Sequence, residues 1–503
     1  MSRKAIEITD RYLQIPVRVK QENKVPLHFY CDGEKILELA VCVGNSDWKN
    51  GEFDYYGQLP MPAYQGKRVE IEGEVPEGFL AKICCGDAFV ANTEKRPAYH
   101  FTPNVGWMND PNGLVYKDGI YHFYFQHNPV DREWENMSWG HAVSTDLLHW
   151  TYKDIAMLPE ADGTIYSGCA MINEHAALGY PADAILAFYT VAGGNNVWSK
   201  GKKFVQKVAV SCDGGEILKP LEIGVLPTIE DYNRDPNVFW HEESKGYVMV
   251  LWIDGFDFGI FRSADLVTWE ETQRITLPEG YECPNMRQLY TEDGSDSIWM
   301  IFDAAGSCYT GEFDGYTFKW SGKIQKLFHR EYASESAAPY AAQLYANTPG
   351  RCILVPWLTT ADTDKKYHCS AGLPRELYVR KEEDESFTVC QKPVAEYEAA
   401  RECAAAENAS ECTLTLNGEN AQLTVLAENG EDLTIAYESN GILFVGEKQY
   451  TVACDASQLR VITDDRIVEI FVEDTEYILA ELSDSACGFS VEEEYEVQYW
   501  KVN

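Results

Sequence analysis

The amino-acid sequence predicts an all-β fold, and three observations support this prediction. Short apolar or alternating runs recur along the chain and are separated by Gly-containing turns such as Lys117-Asp118-Gly119. Long stretches with helical periodicity are hard to find. Two motifs are repeated in the middle of the chain, as in folds built from recurring four-stranded units. We therefore predict three β segments, at residues 1–95, 96–385 and 386–503.

The N-terminal segment, residues 1–95, is predicted to be a small β-sandwich-like accessory domain. Runs 25–31 and 36–43 flank an Asp32-Gly33-Glu34 turn, which is typical of a hairpin. Further strands are expected at 68–72 and 79–84. We expect a role in packing or assembly, in preference to carbohydrate binding.

The middle segment, residues 96–385, contains a repeated carboxylate motif. Asp110-Pro111-Asn112, Asp235-Pro236-Asn237 and Glu282-Cys283-Pro284-Asn285 each stand at the head of a predicted hairpin. A second repeat relates residues 144–150 (STDLLHW) to 263–269 (SADLVTW). These repeats indicate the blades of a β-propeller, whose innermost strands converge on one axis. The three carboxylates are therefore expected to point into one funnel.

The C-terminal segment, residues 386–503, returns to short alternating strands and predicts a β-sandwich of two sheets. Either terminal β domain could also provide a surface for a homo-oligomer.

The composition limits the partners of the chain. Its 503 residues include 42 Lys and Arg against 80 Asp and Glu, a formal net charge of −38. Such a polyanion repels phosphate backbones and anionic lipid surfaces, so neither nucleic acid nor a membrane is an expected partner. A neutral sugar meets no such penalty. No apolar run follows the N-terminal basic residues, and the 15 cysteines form no CxxC pair, so we expect a cytoplasmic protein with reduced thiols.

The carboxylate repeat suits glycoside hydrolysis. That reaction needs two carboxyl groups that flank one bond, and a third can hold sugar hydroxyls and support positive charge in the transition state. The sequence contains no metal-ligand cluster, phosphate-binding loop or Gly-x-Ser-x-Gly motif that would indicate other chemistry. We expect no metal and no cofactor.

Residues 107–113 (WMNDPNG) resemble the signature of glycoside hydrolase family 32, the group of invertases, inulinases and levanases. Arg234-Asp235-Pro236 and Glu282-Cys283-Pro284 resemble the second and third motifs of that family, in the same order and at similar spacing. Residues 166–168 (YSG) and 372–377 (GLPREL) also fit. The resemblance covers roughly residues 97–503.

The resemblance implies a five-bladed propeller followed by a C-terminal β-sandwich, and hydrolysis with retention of configuration. It makes Asp110 the nucleophile, Glu282 the acid/base and Asp235 the stabiliser of the transition state. The residues that it implies around the sugar are Asn109, Gln126, Trp134, Tyr166, Ser167, Arg234 and Trp357.

The sequence thus predicts an exo-acting β-fructofuranosidase that cleaves sucrose, inulobiose or short inulin-type fructo-oligosaccharides. Three enzymatic alternatives remain open: a levan-type β-2,6 fructanase, a fructosyltransferase and an arabinofuranosidase of related fold. A catalytically silent sugar-binding propeller is the non-enzymatic alternative.

Overall fold

The computed structural model describes residues 2–19, 23–44, 48–49, 51–329, 337–361, 363–454, 456–492 and 495–502. Across these ranges the chain is almost entirely β-structure, which confirms the all-β prediction. The helices in the same ranges are short: α1 (Phe79–Lys82), α2 (Ala395–Ala400) and 3₁₀ turns at Pro62–Tyr64, Ala177–Gly179 and Ala406–Asn408. None of the described helices is long and apolar enough to cross a membrane.

The N-terminal segment forms two sheets around one hydrophobic core. The strands are β1 (Ser2–Glu7), β2 (Tyr12–Val17), β3 (Lys24–Cys31), β4 (Glu34–Cys42), β5 (Tyr55–Pro60), β6 (Arg68–Gly73) and β7 (Cys84–Gly86). The spatial orders of the two sheets are β1-β6-β3-β4 and β5-β2-β7.

The strand predicted at residues 79–84 is wrong for its first part, which forms helix α1. Phe79 and Leu80 are neighbours in sequence and are both buried. A strand would direct them to opposite faces, whereas one helical turn places both against the same core. Gly78, with a φ of 90°, makes the left-handed entry to this turn.

Residues 106–393 form five antiparallel sheets in sequence order, each built on four main strands. The first three sheets contain β8 (Gly106–Lys117), β9 (Ile120–Asn128), β10 (Ser138–Ser144) and β11 (Thr151–Tyr152); β12 (Thr164–Ile172), β13 (Ile185–Ala192), β14 (Val205–Ser211) and β15 (Lys219–Leu226); and β16 (Arg234–His241), β17 (Gly246–Asp254), β18 (Asp257–Ser263) and β19 (Glu270–Thr276).

The fourth and fifth sheets complete this series. They contain β20 (Asn285–Tyr290), β21 (Ser297–Phe302), β22 (Ser307–Phe313) and β23 (Phe318–Lys326); and β24 (Ala338–Leu344), β25 (Ile353–Thr359), β28 (Arg375–Lys381) and β29 (Phe387–Pro393). Short strands β26 (Tyr367–His368) and β27 (Ser370–Ala371) pair with β8 and β25, respectively.

The first strands of the five sheets are joined into a closed ring by hydrogen bonds that side chains accept from backbone N–H groups. The amides of the Pro-Asn steps make three of these links, and Cys169 and Gln343 make the other two. The links are Gly168 N–H to Asn112 Oδ1 (3.1 Å), Val238 N–H to Cys169 Sγ (3.0 Å), Met286 N–H to Asn237 Oδ1 (3.1 Å), Leu344 N–H to Asn285 Oδ1 (3.1 Å) and Leu114 N–H to Gln343 Oε1 (3.0 Å). The Asn of the repeated motif thus fastens one sheet to the next.

The second sequence repeat forms the same turn in two sheets. After β10, Asp146 Oδ1 accepts the backbone N–H groups of Leu148 and His149; after β18, Asp265 does the same for the equivalent residues. Leu147 and Leu266 are fully buried at φ of 64° and 65°. Burial of these leucines offsets the cost of the left-handed backbone.

The C-terminal part forms two sheets that share one core. The strands are β30 (Arg401–Cys403), β31 (Glu411–Thr415), β32 (Ala421–Ala427), β33 (Leu433–Glu438), β34 (Ile442–Val445), β35 (Lys448–Thr451), β36 (Gln458–Asp464), β37 (Ile467–Val472), β38 (Glu476–Glu481), β39 (Ala486–Val491) and β40 (Glu496–Val502). The spatial orders of the two sheets are β30-β40-β31-β36-β37-β38 and β35-β34-β33-β32-β39.

The predicted boundary between residues 385 and 386 falls too early. Strand β29 lies beyond it and pairs along its whole length with β28, so the fifth sheet ends at Pro393. Residues 382–386 form the turn of this hairpin. All 15 cysteines lie among the described residues, and all are free thiols.

Candidate active site

The backbone around each predicted catalytic carboxylate is irregular. Pairing between β8 and β9 shifts register across Asp110, and pairing between β16 and β17 shifts across Asp235. The Pro that follows each Asp has no N–H to donate to a neighbouring strand. Asp235 and Cys283 also have positive φ, of 64° and 46°. Such bulges re-aim side chains out of the regular alternation of a strand, here toward the centre of the ring.

Cys283 lies between the carboxylates. Its Sγ is 3.6 Å from Oδ2 of Asp110 and 3.4 Å from Oδ2 of Asp235, and its backbone N–H donates to the same Asp235 oxygen at 3.1 Å. Because Glu282 precedes Cys283 in the chain, one short backbone segment brings the three predicted carboxylates together.

Glu282 is held by two neighbours. The Arg234 guanidinium donates to Oε2 from Nε at 3.0 Å and from Nη2 at 2.6 Å, and the Tyr340 hydroxyl donates to Oε1 at 2.7 Å. Arg234 also lies 3.7 Å from Asp235 and stacks over Trp252 at 4.1 Å. Arg234 therefore neutralises part of the negative charge that three adjacent carboxylates create.

Asp110 accepts hydrogen bonds on both oxygens. The Ser167 hydroxyl donates to Oδ2 at 2.5 Å, and Asn109 Nδ2 donates to Oδ1 at 3.2 Å. The Trp107 indole N–H in turn donates to Asn109 Oδ1 at 2.9 Å, which orients that amide. These contacts place Asp110 rigidly at the base of the site.

Burial raises the pKa of both aspartates. The pKa of Asp110 rises to about 6 through desolvation, opposed by the Ser167 hydrogen bond and assisted by the charge of Glu282. The pKa of Asp235 rises to about 7 through desolvation, opposed by Arg234 and assisted by Glu282 and Asp110. Water exclusion together with mutual repulsion gives such shifts, and clustered perturbed carboxyls are a mark of functional sites.

These carboxylates open into a cavity of about 710 Å³. All ten predicted site residues line it: Asn109, Asp110, Gln126, Trp134, Tyr166, Ser167, Arg234, Asp235, Glu282 and Trp357. Gln126 is 1% exposed, and its Nε2 has no hydrogen-bond partner within the described ranges. A buried donor that faces a cavity is suited to a ligand oxygen.

Sequence reasoning missed half of the cavity wall. The further lining residues are Met137, Gly193, Gly194, Asn195, Lys202, Lys203, Phe204, Asp231, Tyr232 and Tyr340. Most of them lie in loop 193–204, a polar Gly-rich run without a motif. Of these ten residues, only Tyr340 lies in a sequence motif that could have identified it, the Tyr-Ala-Ala-Gln run near the end of the middle segment.

No group of His, Cys, Asp or Glu in the described part of the chain could hold a metal ion. Clustered carboxyls that face a polar cavity are the arrangement that glycoside hydrolysis requires. A family model described as the glycosyl hydrolases family 32 N-terminal domain matches residues 100–393. The chain therefore belongs to glycoside hydrolase family 32, and the two sheets of the N-terminal segment lie outside the matched region.

Curated relatives agree with this membership. The chain is 30% identical over 342 residues to a levanase from Bacillus subtilis, covering 63% of this chain and 49% of that protein. It is 36% identical over 257 residues to an invertase from Debaryomyces hansenii, covering 46% and 47%, respectively. The chain thus spans about half the length of these relatives.

Solved structures share the fold. The exo-inulinase from Aspergillus awamori matches with a TM-score of 0.70 at 21% identity, over 82% of this chain and 99% of that one. A family 32 glycoside hydrolase from Bifidobacterium adolescentis matches with a TM-score of 0.66 at 19% identity, over 100% of this chain and 99% of that one. The second likeness includes the N-terminal sheets.

Proposed function

We propose that this protein is a retaining, exo-acting β-fructofuranosidase whose five-sheet ring is a five-bladed propeller. Its substrates would be sucrose, inulobiose or short inulin-type fructo-oligosaccharides. One observation carries the proposal: Asp110, Asp235 and Glu282 meet around Cys283 at the base of one cavity that every predicted sugar-binding residue also lines.

Each carboxylate has a distinct role in the proposed reaction. Asp110 attacks the anomeric carbon of the fructosyl unit while Glu282 gives its proton to the departing oxygen, and a covalent fructosyl-enzyme forms. Glu282 then takes a proton from water, the water attacks the anomeric carbon, and Asp110 leaves. Ionised Asp235 would hold fructose hydroxyls and oppose the positive charge of the transition state.

The chemistry of the wall supports a sugar as ligand. The cavity presents amides, hydroxyls and aromatic faces, which hydrogen-bond and stack on neutral sugars. Its two lysines are already neutralised, because Lys202 pairs with Asp162 at 2.6 Å and Lys203 with Asp231 at 3.0 Å. A neutral fructoside therefore suits the cavity better than a phosphorylated sugar.

A levan-type β-2,6 fructanase is the second candidate. It is favoured by the match to the Bacillus subtilis levanase, which extends over 342 residues. The two candidates share the same catalytic residues and differ in the linkage that the outer cavity accepts.

The test is release of fructose from sucrose, short β-2,1 fructo-oligosaccharides and levan, with anomeric configuration followed by NMR. We expect release with retention, and loss of about 10³-fold or more in Asp110→Asn, which removes the nucleophile. Asp118→Asn, an exposed change at the β8–β9 turn, is the matched control and should keep full activity. Unchanged release by Asp110→Asn, or inversion, would reject the proposed mechanism.

A further inference from the structure

Two loops that wall the cavity are also contacted by the N-terminal segment. We name residues 129–137 the first rim loop and residues 193–204 the second rim loop. Trp134 and Met137 of the first line the cavity, as do Gly193, Gly194, Asn195 and Lys202–Phe204 of the second. Neither loop supplies one of the three proposed catalytic carboxylates.

Aromatic side chains connect the rim loops and mark the mouth of the cavity. Trp134 meets Tyr166 edge-on at 6.0 Å, Tyr166 meets Phe204 at 5.3 Å, and Phe204 meets Tyr232 at 5.6 Å. Trp134 is 43% exposed and Tyr232 65% exposed, whereas Asp235 at the base of the cavity is 5% exposed. The rim loops therefore face the part of a substrate that extends beyond the reacting fructosyl unit.

The first rim loop is fastened to strands β3 and β4. Asn136 accepts the Ala40 N–H on Oδ1 and donates from Nδ2 to the Ala40 carbonyl, both at 2.7 Å. Lys24 pairs with Asp131 and Glu133, both at 2.8 Å. Val130 is fully buried and belongs to the core of the N-terminal segment. Two strands outside the ring thus hold the loop that carries Trp134.

The second rim loop is fastened by Glu38 of β4. Glu38 is 3% exposed, and its Oε1 accepts the backbone N–H of Trp198 at 2.9 Å. Its Oε2 is bound by Lys35 at 2.8 Å and His28 at 2.9 Å. A buried carboxylate that accepts a backbone N–H makes a charge-assisted hydrogen bond, which is stronger than a neutral one.

Hydrogen bonds within the second rim loop connect the segment around Trp198 to the cavity wall. Ser199 accepts the Gly194 N–H on both its carbonyl and its hydroxyl oxygen, at 3.0 Å each. The Asn196 Oδ1 accepts from the N–H and hydroxyl of Ser199, at 2.8 and 2.6 Å. Gly194 and Asn195, which line the cavity, therefore stand in a compact unit whose outer anchor is Glu38.

We propose that the N-terminal segment sets recognition of the leaving group by holding both rim loops, with Glu38 as the positioning residue. This inference rests on the proposed function of the cavity. A Gly- and Asn-rich loop loses much conformational freedom when it closes on a ligand, and a loop that is ordered in advance avoids that cost. Release of the loops weakens binding of the leaving group and spares the carboxylates.

The test compares two substrates of the full-length protein that differ in leaving group. 1-Kestose has a disaccharide leaving group that extends to the rim, whereas methyl β-D-fructofuranoside has only a methoxy group. We expect Glu38→Ala to raise the KM for 1-kestose about tenfold. The kcat for 1-kestose, and both kcat and KM for the methyl fructoside, should stay within about twofold of the wild-type values. Glu38→Gln should recover part of the loss, because its amide oxygen still accepts from Trp198.

Arg11→Ala is the matched control. Arg11 joins the N-terminal segment to Asp154 at 2.7 Å and touches neither rim loop. Its loss should therefore leave unchanged the ratio of the KM values for the two substrates. Equal losses on both substrates, or no loss in Glu38→Ala, would overturn the inference. Absence of turnover of either substrate by the wild type would instead reject the proposed function. Thermal unfolding of each variant separates a change in specificity from loss of fold.

Discussion

At the scale of single residues, burial and polar contacts have opposite effects on the pKa values of the two aspartates in the site. Desolvation raises the pKa of Asp110 and of Asp235, while Ser167 and Arg234 oppose the rise. The same contacts orient the carboxylates. Small changes around these oxygens should therefore alter the pH dependence of the reaction before they alter the fold.

Ser167→Ala should move the acidic limb of activity to higher pH. Asp110 must be ionised to attack, so kcat/KM should rise with pH through its pKa of about 6. The Ser167 hydroxyl stabilises the ionised form, and without it the pKa rises further. The measurement is kcat/KM for sucrose between pH 4 and 8. An unchanged or lower midpoint would contradict this role.

Tyr340→Phe should lower kcat by about tenfold, because it removes one hydrogen bond, from the Tyr340 hydroxyl to Glu282. Tyr345→Phe is the matched control: that hydroxyl is buried and lacks a hydrogen-bond partner among the residues described. Steady-state kinetics of both variants decide the matter. Similar losses in the two variants would show that general packing, and not the contact with Glu282, is responsible.

At the scale of elements, the repeated motif has two functions in one short run. Its acidic residue faces the cavity, and its Asn fastens the ring two residues further on in β8 and β16, and three in β20. Alternation along strands made many of the strands predictable from the sequence. Helix α1 was missed because joint burial of Phe79 and Leu80 decides that segment. Strand β29 was missed because its pairing with β28 decides where the fifth sheet ends.

Asn285→Ala should destabilise the fold by about 2–3 kcal/mol, because Asn285 is buried and links the fourth and fifth sheets. Its Oδ1 accepts from Leu344 N–H at 3.1 Å, and its Nδ2 donates to the carbonyls of Cys283 and Ala342 at 3.2 Å. Denaturant unfolding measures the loss. Asn429→Ala, an exposed change in the C-terminal part, should cost far less.

At the scale of the whole molecule, a buried ionic cluster joins the five-sheet ring to the C-terminal sheets. His100 lies 2.9 Å from Asp464 and 3.4 Å from Glu469, and Glu469 also accepts from the Tyr477 hydroxyl at 2.9 Å. Arg375 lies 3.6 Å from Glu469. Burial alone would lower the pKa of His100, but Asp464 and Glu469 raise it from 6.5 to about 9.

Stability should fall as pH rises through two windows. His100 binds its proton more tightly when folded, so its contribution is complete below about 6.5 and is lost as pH passes about 9. Asp110 and Asp235 ionise less readily when folded, so they destabilise increasingly from about pH 4 to about pH 7. Unfolding free energies measured from pH 4 to 10 test both windows, and His100→Gln should flatten only the upper one.

Asp235→Asn should stabilise the fold at pH 7 by on the order of 2 kcal/mol while activity is lost. The neutral amide avoids the desolvation of a buried charge and also the repulsion that Glu282 and Asp110 exert on it. Denaturant unfolding at pH 7 and at pH 4 provides the check. The gain should vanish at pH 4, where the carboxyl is already protonated, and an equal gain at both values would contradict the electrostatic explanation.

The sequence by itself determined the all-β class, many of the strands and the three carboxylates, because alternation and repeated motifs are local signals that each strand carries. The seven further predicted residues that line the cavity came from the resemblance to a known family, and not from those patterns. Tertiary structure alone decided how the N-terminal segment meets the cavity. Glu38 and Trp198 are 160 positions apart, and Ala40 and Asn136 are 96 apart. Such contacts produce no recognisable pattern in either sequence segment. The role of a buried Glu, or of an Asn at positive φ, depends on which distant residues the fold places beside it.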